Sequence, residues 1–231
     1  MTNKSTTNLN TPNRGDWLVL AAWPPELLHL RRNLLDLPPH ARRKVTLAST
    51  GVGMVEAGIA AARLIDRHRP KAVLWVGTAG VYPRQAVELT LGGAVIANRI
   101  RLLPRLFPGK HDFLPAVVPT EEKSTPALMR SVRKVTGLQC ADVACPLGIT
   151  TTARAAVSAS TLSGCALENM ETFAAARAAA TAKAPFAAIL GIANRVGPDG
   201  HSEWQKHGKH AAESACRAVL AVVTHLATVP K

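Results

Sequence analysis

The stretch from Lys44 to Gly80, KVTLASTGVGMVEAGIAAARLIDRHRPKAVLWVGTAG, decides the fold. Lys44 to Ser49 reads as a short strand, and Thr50-Gly51-Val52-Gly53 as a turn. A helix follows from Met54 to about His68, and Pro70 ends it. Ala72 to Val76 is a continuous apolar strand closed by Gly77-Thr78-Ala79-Gly80. Strands this uniformly apolar belong to a sheet buried on both faces, with helices as the cover. Upstream, Asp16 to Ala22 is a further buried strand, broken by Trp23-Pro24-Pro25. A helix opens at Glu26 and carries Leu27, Leu28, Leu30, Leu34 and Leu35. The second proline suits a first helical turn, and the helix dipole favours a carboxylate there. The order β-α-β-α-β predicts an α/β fold: a single domain whose central mixed β-sheet is flanked by helices.

Downstream, Gly93 to Ile100 reads as a strand. Leu102 to Pro126 is irregular and proline-rich, as a loop over a site would be. Pro126 to Val135 is helical, and Ala141 to Thr152 contains strand-like material. Cys165 to Glu168 is a short strand, Glu171 to Lys183 an alanine-rich helix, Phe186 to Ala193 a strand, and Ser202 to Leu226 a long helix. Residues 1–15 are polar and predict a disordered tail without the apolar segment of a secretory signal. Residues 16–231 form the one domain.

The 231 residues are 47% hydrophobic, enough for a sizeable core, which excludes a wholly disordered chain. Aromatics make up only 4%, so alanine, leucine and valine must fill that core. No apolar run approaches the ~18 residues of a membrane span. Four scattered cysteines (Cys140, Cys145, Cys165, Cys216) read as reduced thiols in a cytoplasmic protein. A net charge of +13 favours anionic substrates. Clusters such as Arg42-Arg43-Lys44 hold only two or three charges and have no interleaved aromatics, so no specific nucleic-acid partner is expected.

Gly51-Val-Gly53 resembles the opening of a dinucleotide fingerprint, but the next glycine comes at Gly58 and the following strand ends in Gly77 rather than an acid. It reads as a tight turn bringing a helix close to the sheet. Cys140, Cys145, His207 and His210 lack the tight spacing of a zinc site. More informative are Glu26, Glu171 and Asn194, each just beyond a predicted strand. Ligands of open α/β sheets bind beyond the carboxyl ends of strands, so three polar groups distant in sequence converge on one cleft. Each also has a plain structural reading: a helix cap for Glu26, a first-turn acid for Glu171, a turn residue for Asn194.

Four segments taken together resemble the purine nucleoside phosphorylase/nucleosidase family. They are Leu20-Ala-Ala-Trp-Pro-Pro-Glu26-Leu, Thr50-Gly-Val-Gly-Met54, Val76-Gly-Thr-Ala-Gly80 and Leu167-Glu-Asn-Met170-Glu171. The last is similar to the family's Glu-Met-Glu ribose motif, with Asn169 in place of the first glutamate. Gly191-Ile-Ala-Asn194-Arg-Val-Gly197, with Trp204 following, resembles the nucleosidase branch that cleaves futalosine. Methylthioadenosine nucleosidases carry Asp where this chain has Asn194. Pro198-Asp199-Gly200 departs from the futalosine pattern, which has an Arg-Asp pair there.

The resemblance implies hydrolysis of the N-glycosidic bond of a purine nucleoside, with futalosine the expected substrate in menaquinone biosynthesis. Alternatives are a methylthioadenosine/S-adenosylhomocysteine-type nucleosidase and a phosphate-dependent phosphorylase. Glu26 would activate water, and Asn194 would hold the Hoogsteen edge of the leaving base, its N–H₂ donating to both N7 and O6 of a 6-oxopurine, which favours hypoxanthine or guanine over adenine without excluding adenine. Met170 and Glu171 would bind the ribose, and Thr78 and Gly80 would line the substrate site. The hexameric phosphorylases carry an Arg where this chain has Trp75, which favours water over phosphate as nucleophile. No cofactor or metal is implied, the partner is a small-molecule purine nucleoside, and the family suggests a homodimer.

Overall fold

In the computed structural model, which describes residues 16–85, 89–104 and 114–228, the expected β-α-β-α-β order is realised in one eight-stranded mixed sheet. The tail expected over residues 1–15 lies outside the described residues. The strands are β1 (Trp17–Ala21), β2 (Val45–Ser49), β3 (Ala72–Val81), β4 (Ala94–Leu103), β5 (Glu121–Lys123), β6 (Cys140–Pro146), β7 (Leu167–Glu168) and β8 (Phe186–Arg195). The α-helices are α1 (Leu28–Asn33), α2 (Pro39–Arg42), α3 (Met54–His68), α4 (Pro126–Thr136), α5 (Ala153–Ser163), α6 (Thr172–Thr181) and α7 (Gly200–Thr228). β3 pairs with β8, β8 with β4, β4 with β6, β6 with β7, and β7 again with β3, so five strands close a ring. β1 and β2 extend the sheet from the first half of β3, and β5 borders β4.

Alternation along the strands divides the core into two layers. Leu18, Leu20, Val73 and Trp75 pack with Ala57, Ala61 and Ile65 of α3 and Phe173 of α6. Val19, Leu74 and Val76 point the other way, onto Leu27, Leu30 of α1 and Val219 and Val223 of α7. Alanine does much of the filling, which lets backbones approach closely. At Gly191 of β8, a Cβ would lie 2.0 Å from the carbonyl oxygen of Ala211 in α7. A backbone atom cannot step aside as a side-chain end can. Gly191→Ala should therefore destabilise by about 3 kcal/mol or more. Denaturant titration checks this, and an unchanged midpoint would contradict the close packing.

The structure departs from the sequence reading at four places. The helix predicted from Glu26 is broken into a 3-10 turn (Pro24–Leu27), α1 and a second 3-10 turn (Leu34–Asp36). Pro24 and Pro25 supply no N–H, and the Glu26 side chain accepts the Trp23 N–H at 3.1 Å, which tightens the turn. The strand predicted to close at Gly77 continues to Val81, because β8 pairs along it and β7 joins at Gly80 and Val81. The segment after Pro146 contains α5, which the sequence reading left unassigned, and the irregular Leu102–Pro126 stretch contains the short strand β5.

Candidate active site

The site begins with a gap in the pairing of β3. One edge of this strand is paired by β1 as far as Trp75, then by β7 from Gly80. Between them the backbone of Thr78 has no strand partner on that edge, and its polar groups need satisfaction elsewhere. Its N–H donates to Glu26 Oε1 at 3.0 Å, its hydroxyl donates to the same oxygen at 3.3 Å, and its carbonyl accepts from Asn169 Nδ2 at 2.9 Å. The glycine-rich end of the strand is thus where Glu26 and the segment before α6 are attached to the sheet. The thiol of Cys216 in α7 donates to the Glu26 carbonyl at 2.9 Å and fixes the turn from behind.

Both ends of the Asn169 amide take part in this clamp. Its Oδ1 accepts from the Glu171 N–H (2.9 Å), the Thr172 N–H (2.8 Å) and the Thr172 hydroxyl (2.6 Å). A glutamate at this position could not donate to the Thr78 carbonyl, so the departure from the family motif serves to join β3 to the start of α6. Asn169 thereby aims Glu171, whose Oε1 accepts the Gly53 N–H at 2.9 Å, at the N-terminus of α3. The Gly51-x-Gly53 turn has φ of +97° and +93° at its two glycines, a backbone that L side chains rarely adopt. It presents an amide and a helix dipole to a carboxylate of the protein itself.

Glu26, Thr78, Gly80, Met170, Glu171 and Asn194 all line one cavity of about 410 Å³. The structure thus brings Glu26, Glu171 and Asn194, distant in sequence, onto one cavity. Burial pushes Glu26 up to about 7, helped by the nearby Glu171 charge and opposed by the N–H groups of Trp23 and Thr78. Burial also raises Glu171, against the pull of the Gly53 N–H. A carboxylate poised near neutrality is suited to accept a proton from a bound nucleophile. Asn194 leans over Gly80, where a Cβ would lie 3.0 Å from Nδ2. Its amide N–H₂ was expected to face the base with both donors, but Nδ2 donates to the Arg195 carbonyl at 2.8 Å. One N–H and the Oδ1 remain for a ligand.

Several lining residues were not read from the sequence as parts of the site. Trp23 stands 6.0 Å, centroid to centroid, from Trp204, which stacks on His201 at 6.3 Å and donates its indole N–H to Thr78 Oγ1 at 3.3 Å. Ile149, Thr150 and Glu168 also line the cavity. Proximity of Glu168 to the Asn-Met-Glu segment was the available signal, but its short strand gave no hint of which face it takes. Trp75 is fully buried, with its indole N–H unpartnered among the described residues.

The phosphorylase superfamily model matches residues 29–224, and the chain belongs to that superfamily. It is 26% identical over 192 residues to the 5'-methylthioadenosine/S-adenosylhomocysteine nucleosidase of Bacillus subtilis, covering 79% of this chain and 82% of that protein. Among solved structures, the nucleosidase of the same name from Neisseria meningitidis, in complex with methylthio-immucillin-A, superposes with a TM-score of 0.78 at 17% identity, covering 90% of this chain and 98% of that one. Futalosine hydrolase of Helicobacter pylori gives a TM-score of 0.80 at 13% identity, covering 92% and 98%. The fold is that of these enzymes. No helix among the described residues is long and apolar enough to cross a membrane.

Proposed function

We propose that the protein hydrolyses the N-glycosidic bond of a purine nucleoside, with a futalosine-type 6-oxopurine nucleoside as substrate. The observation that carries the reading is the pairing of Glu26 with Glu171 in one partly desolvated cavity. Glycosidic bonds of this kind break with positive charge building on the sugar, and a fixed carboxylate stabilises that charge. Glu171 accepts the ribose hydroxyls and faces the cationic ring, Met170 packs against the sugar, and Glu26 takes the proton of the attacking water. Asn194 holds the purine N7 through its remaining N–H.

Water rather than phosphate is favoured by the charge of the walls. Glu26, Glu168 and Glu171 all line the cavity, and three carboxyl groups oppose entry of a phosphate dianion. Trp75 fills the core where the hexameric phosphorylases keep an Arg. The tilted Trp23–Trp204 pair at the cavity supports a flat aromatic 5′ group. A methylthioadenosine/S-adenosylhomocysteine-type activity is the second reading, supported by the Bacillus subtilis relative and by the free Oδ1 of Asn194, which accepts from an adenine amino group as readily as its N–H donates to N7. Initial rates on futalosine, inosine and methylthioadenosine separate the two readings. Futalosine should be fastest, and a preference for methylthioadenosine overturns the first.

The same reading includes a homodimer. Val55 and Ile59 on α3 are 68% and 47% exposed, beside a groove of about 820 Å³ between α3 and α6. A second copy packed there covers this apolar face and approaches Val52 at the cavity rim. Light scattering should give the mass of two chains, and a concentration-independent single chain contradicts it.

A further inference from the structure

Glu168 is a buried carboxylate in the wall of the candidate active site, and neither the base-cleaving chemistry nor the ribose contacts use it. Its Oε1 accepts the Thr150 N–H at 3.0 Å. Its Oε2 accepts the Thr150 hydroxyl at 2.6 Å and the Tyr82 hydroxyl at 2.9 Å. A carboxylate has about four acceptor positions, so one remains open. The consequence for the wall is chemical. The amide and hydroxyl of Thr150 are both spent on Glu168, and what this side of the cavity offers a ligand is an acceptor.

The opposite side is Asn194. In the sheet, Gly80 of β3 is paired with Glu168 of β7 on one edge and Asn194 of β8 on the other. Two strand spacings, roughly 10 Å, separate their backbones, and side chains of directly paired residues share a face of the sheet, so Glu168 and Asn194 enter the same cavity from either side of Gly80. Gly80, lacking a side chain, is the floor between them. Asn194 meets the N7 side, so Glu168 meets the N1 side. A 6-oxopurine carries a hydrogen on N1 and donates there. Adenine carries a lone pair on N1, which a carboxylate oxygen repels.

We propose that Glu168 is the residue that selects the base, accepting the N1–H of a 6-oxopurine and excluding adenine. This rests on the reading of the cavity as a purine nucleoside site, and it places the choice of base on Glu168 rather than on Asn194, whose remaining N–H and Oδ1 suit either purine.

The test is Glu168→Gln, with kcat/KM measured on inosine and adenosine. The Gln carbonyl takes the place of Oε1 and still accepts the Thr150 N–H, and both hydroxyls can turn to accept from its N–H₂, so the wall is retained; what is lost is the charge on the open acceptor position, which weakens its hold on an N1–H and its repulsion of a lone pair. The inosine-to-adenosine ratio should be at least about tenfold in the unmutated protein. It should fall by at least about tenfold in the variant, through loss on inosine with adenosine held or improved. Equal losses on both nucleosides, or an unchanged ratio, overturn the proposal and leave Glu168 as support for the Thr150 loop. Calorimetric binding of free hypoxanthine and adenine gives a second measurement that needs no turnover and no variant. Hypoxanthine should bind the unmutated protein at least about tenfold more tightly, and equal affinities overturn the proposal. If binding discriminates but no nucleoside is hydrolysed, the functional reading fails and the base assignment stands.

Discussion

Glu26→Gln is expected to lower kcat by about 10²- to 10⁴-fold at neutral pH, the range that general-base catalysis contributes. The amide still reaches the Thr78 N–H with its oxygen, so the split in β3 stays bridged and the fold is kept. What it loses is the ability to take a proton. The pH dependence gives the same test a second readout. Glu26 is active when ionised and its group is raised to about 7, so activity should climb with pH through about 7 and level off above it. The residual activity of the variant should lack that limb. A folded Glu26→Gln protein with near wild-type turnover would reject the water-activating role.

The second large effect is at Glu171. Glu171→Gln should cost about 10²- to 10³-fold in kcat, comparable to removal of one electrostatic contact to a developing charge. The Gln oxygen can still accept the Gly53 N–H, so α3 and α6 remain joined. A coupled shift distinguishes this from simple damage. The Glu171 charge is one of the influences raising Glu26, so its removal should move the acidic limb of the residual activity to lower pH. Turnover near wild type in a folded variant removes Glu171 from the ribose site.

The elements that carry the sheet were legible because their patterns are local. The reading of Met54 to His68 as one helix coincides with α3, bounded by Gly53 on one side and the chain reversal before Pro70 on the other. The strands read at Asp16, Lys44, Ala72 and Phe186 lie within one or two residues of β1, β2, β3 and β8 at their starts. α5 was hidden by its polar serines and Thr161, although both ends are marked. Thr152 accepts from the Ala155 N–H at 3.2 Å, and Gly164 takes a left-handed φ of +61°. The extension of β3 through Gly77–Gly80 was hidden for a different reason. Glycine is unfavourable in strands on local grounds, and only the pairing with β8 and β7 keeps the segment extended.

In the site, residue identity was legible and partnership was not. Glu26, Glu171 and Asn194 were found because each was read just beyond a strand; Glu26 and Glu171 do follow β1 and β7, whereas Asn194 lies within β8, which runs on to Arg195 through its pairing with β3. That Gly51-x-Gly53 faces a carboxylate of its own chain depends on a contact 118 residues away in sequence. The role of Asn169 depends on the gap between β1 and β7, which exists only once the sheet is assembled. Asn194 lost one expected donor to its neighbour's carbonyl, a local contact that the strand pattern does not reveal.

The central claim is that water attacks the sugar in a cavity whose carboxyl groups oppose phosphate. Its most direct test is futalosine cleavage by the purified protein with and without inorganic phosphate, with the products followed by ³¹P NMR. The expected result is the same rate of hypoxanthine release in both buffers and no sugar 1-phosphate signal. Release that requires phosphate, with a sugar 1-phosphate formed in step with hypoxanthine, would contradict it.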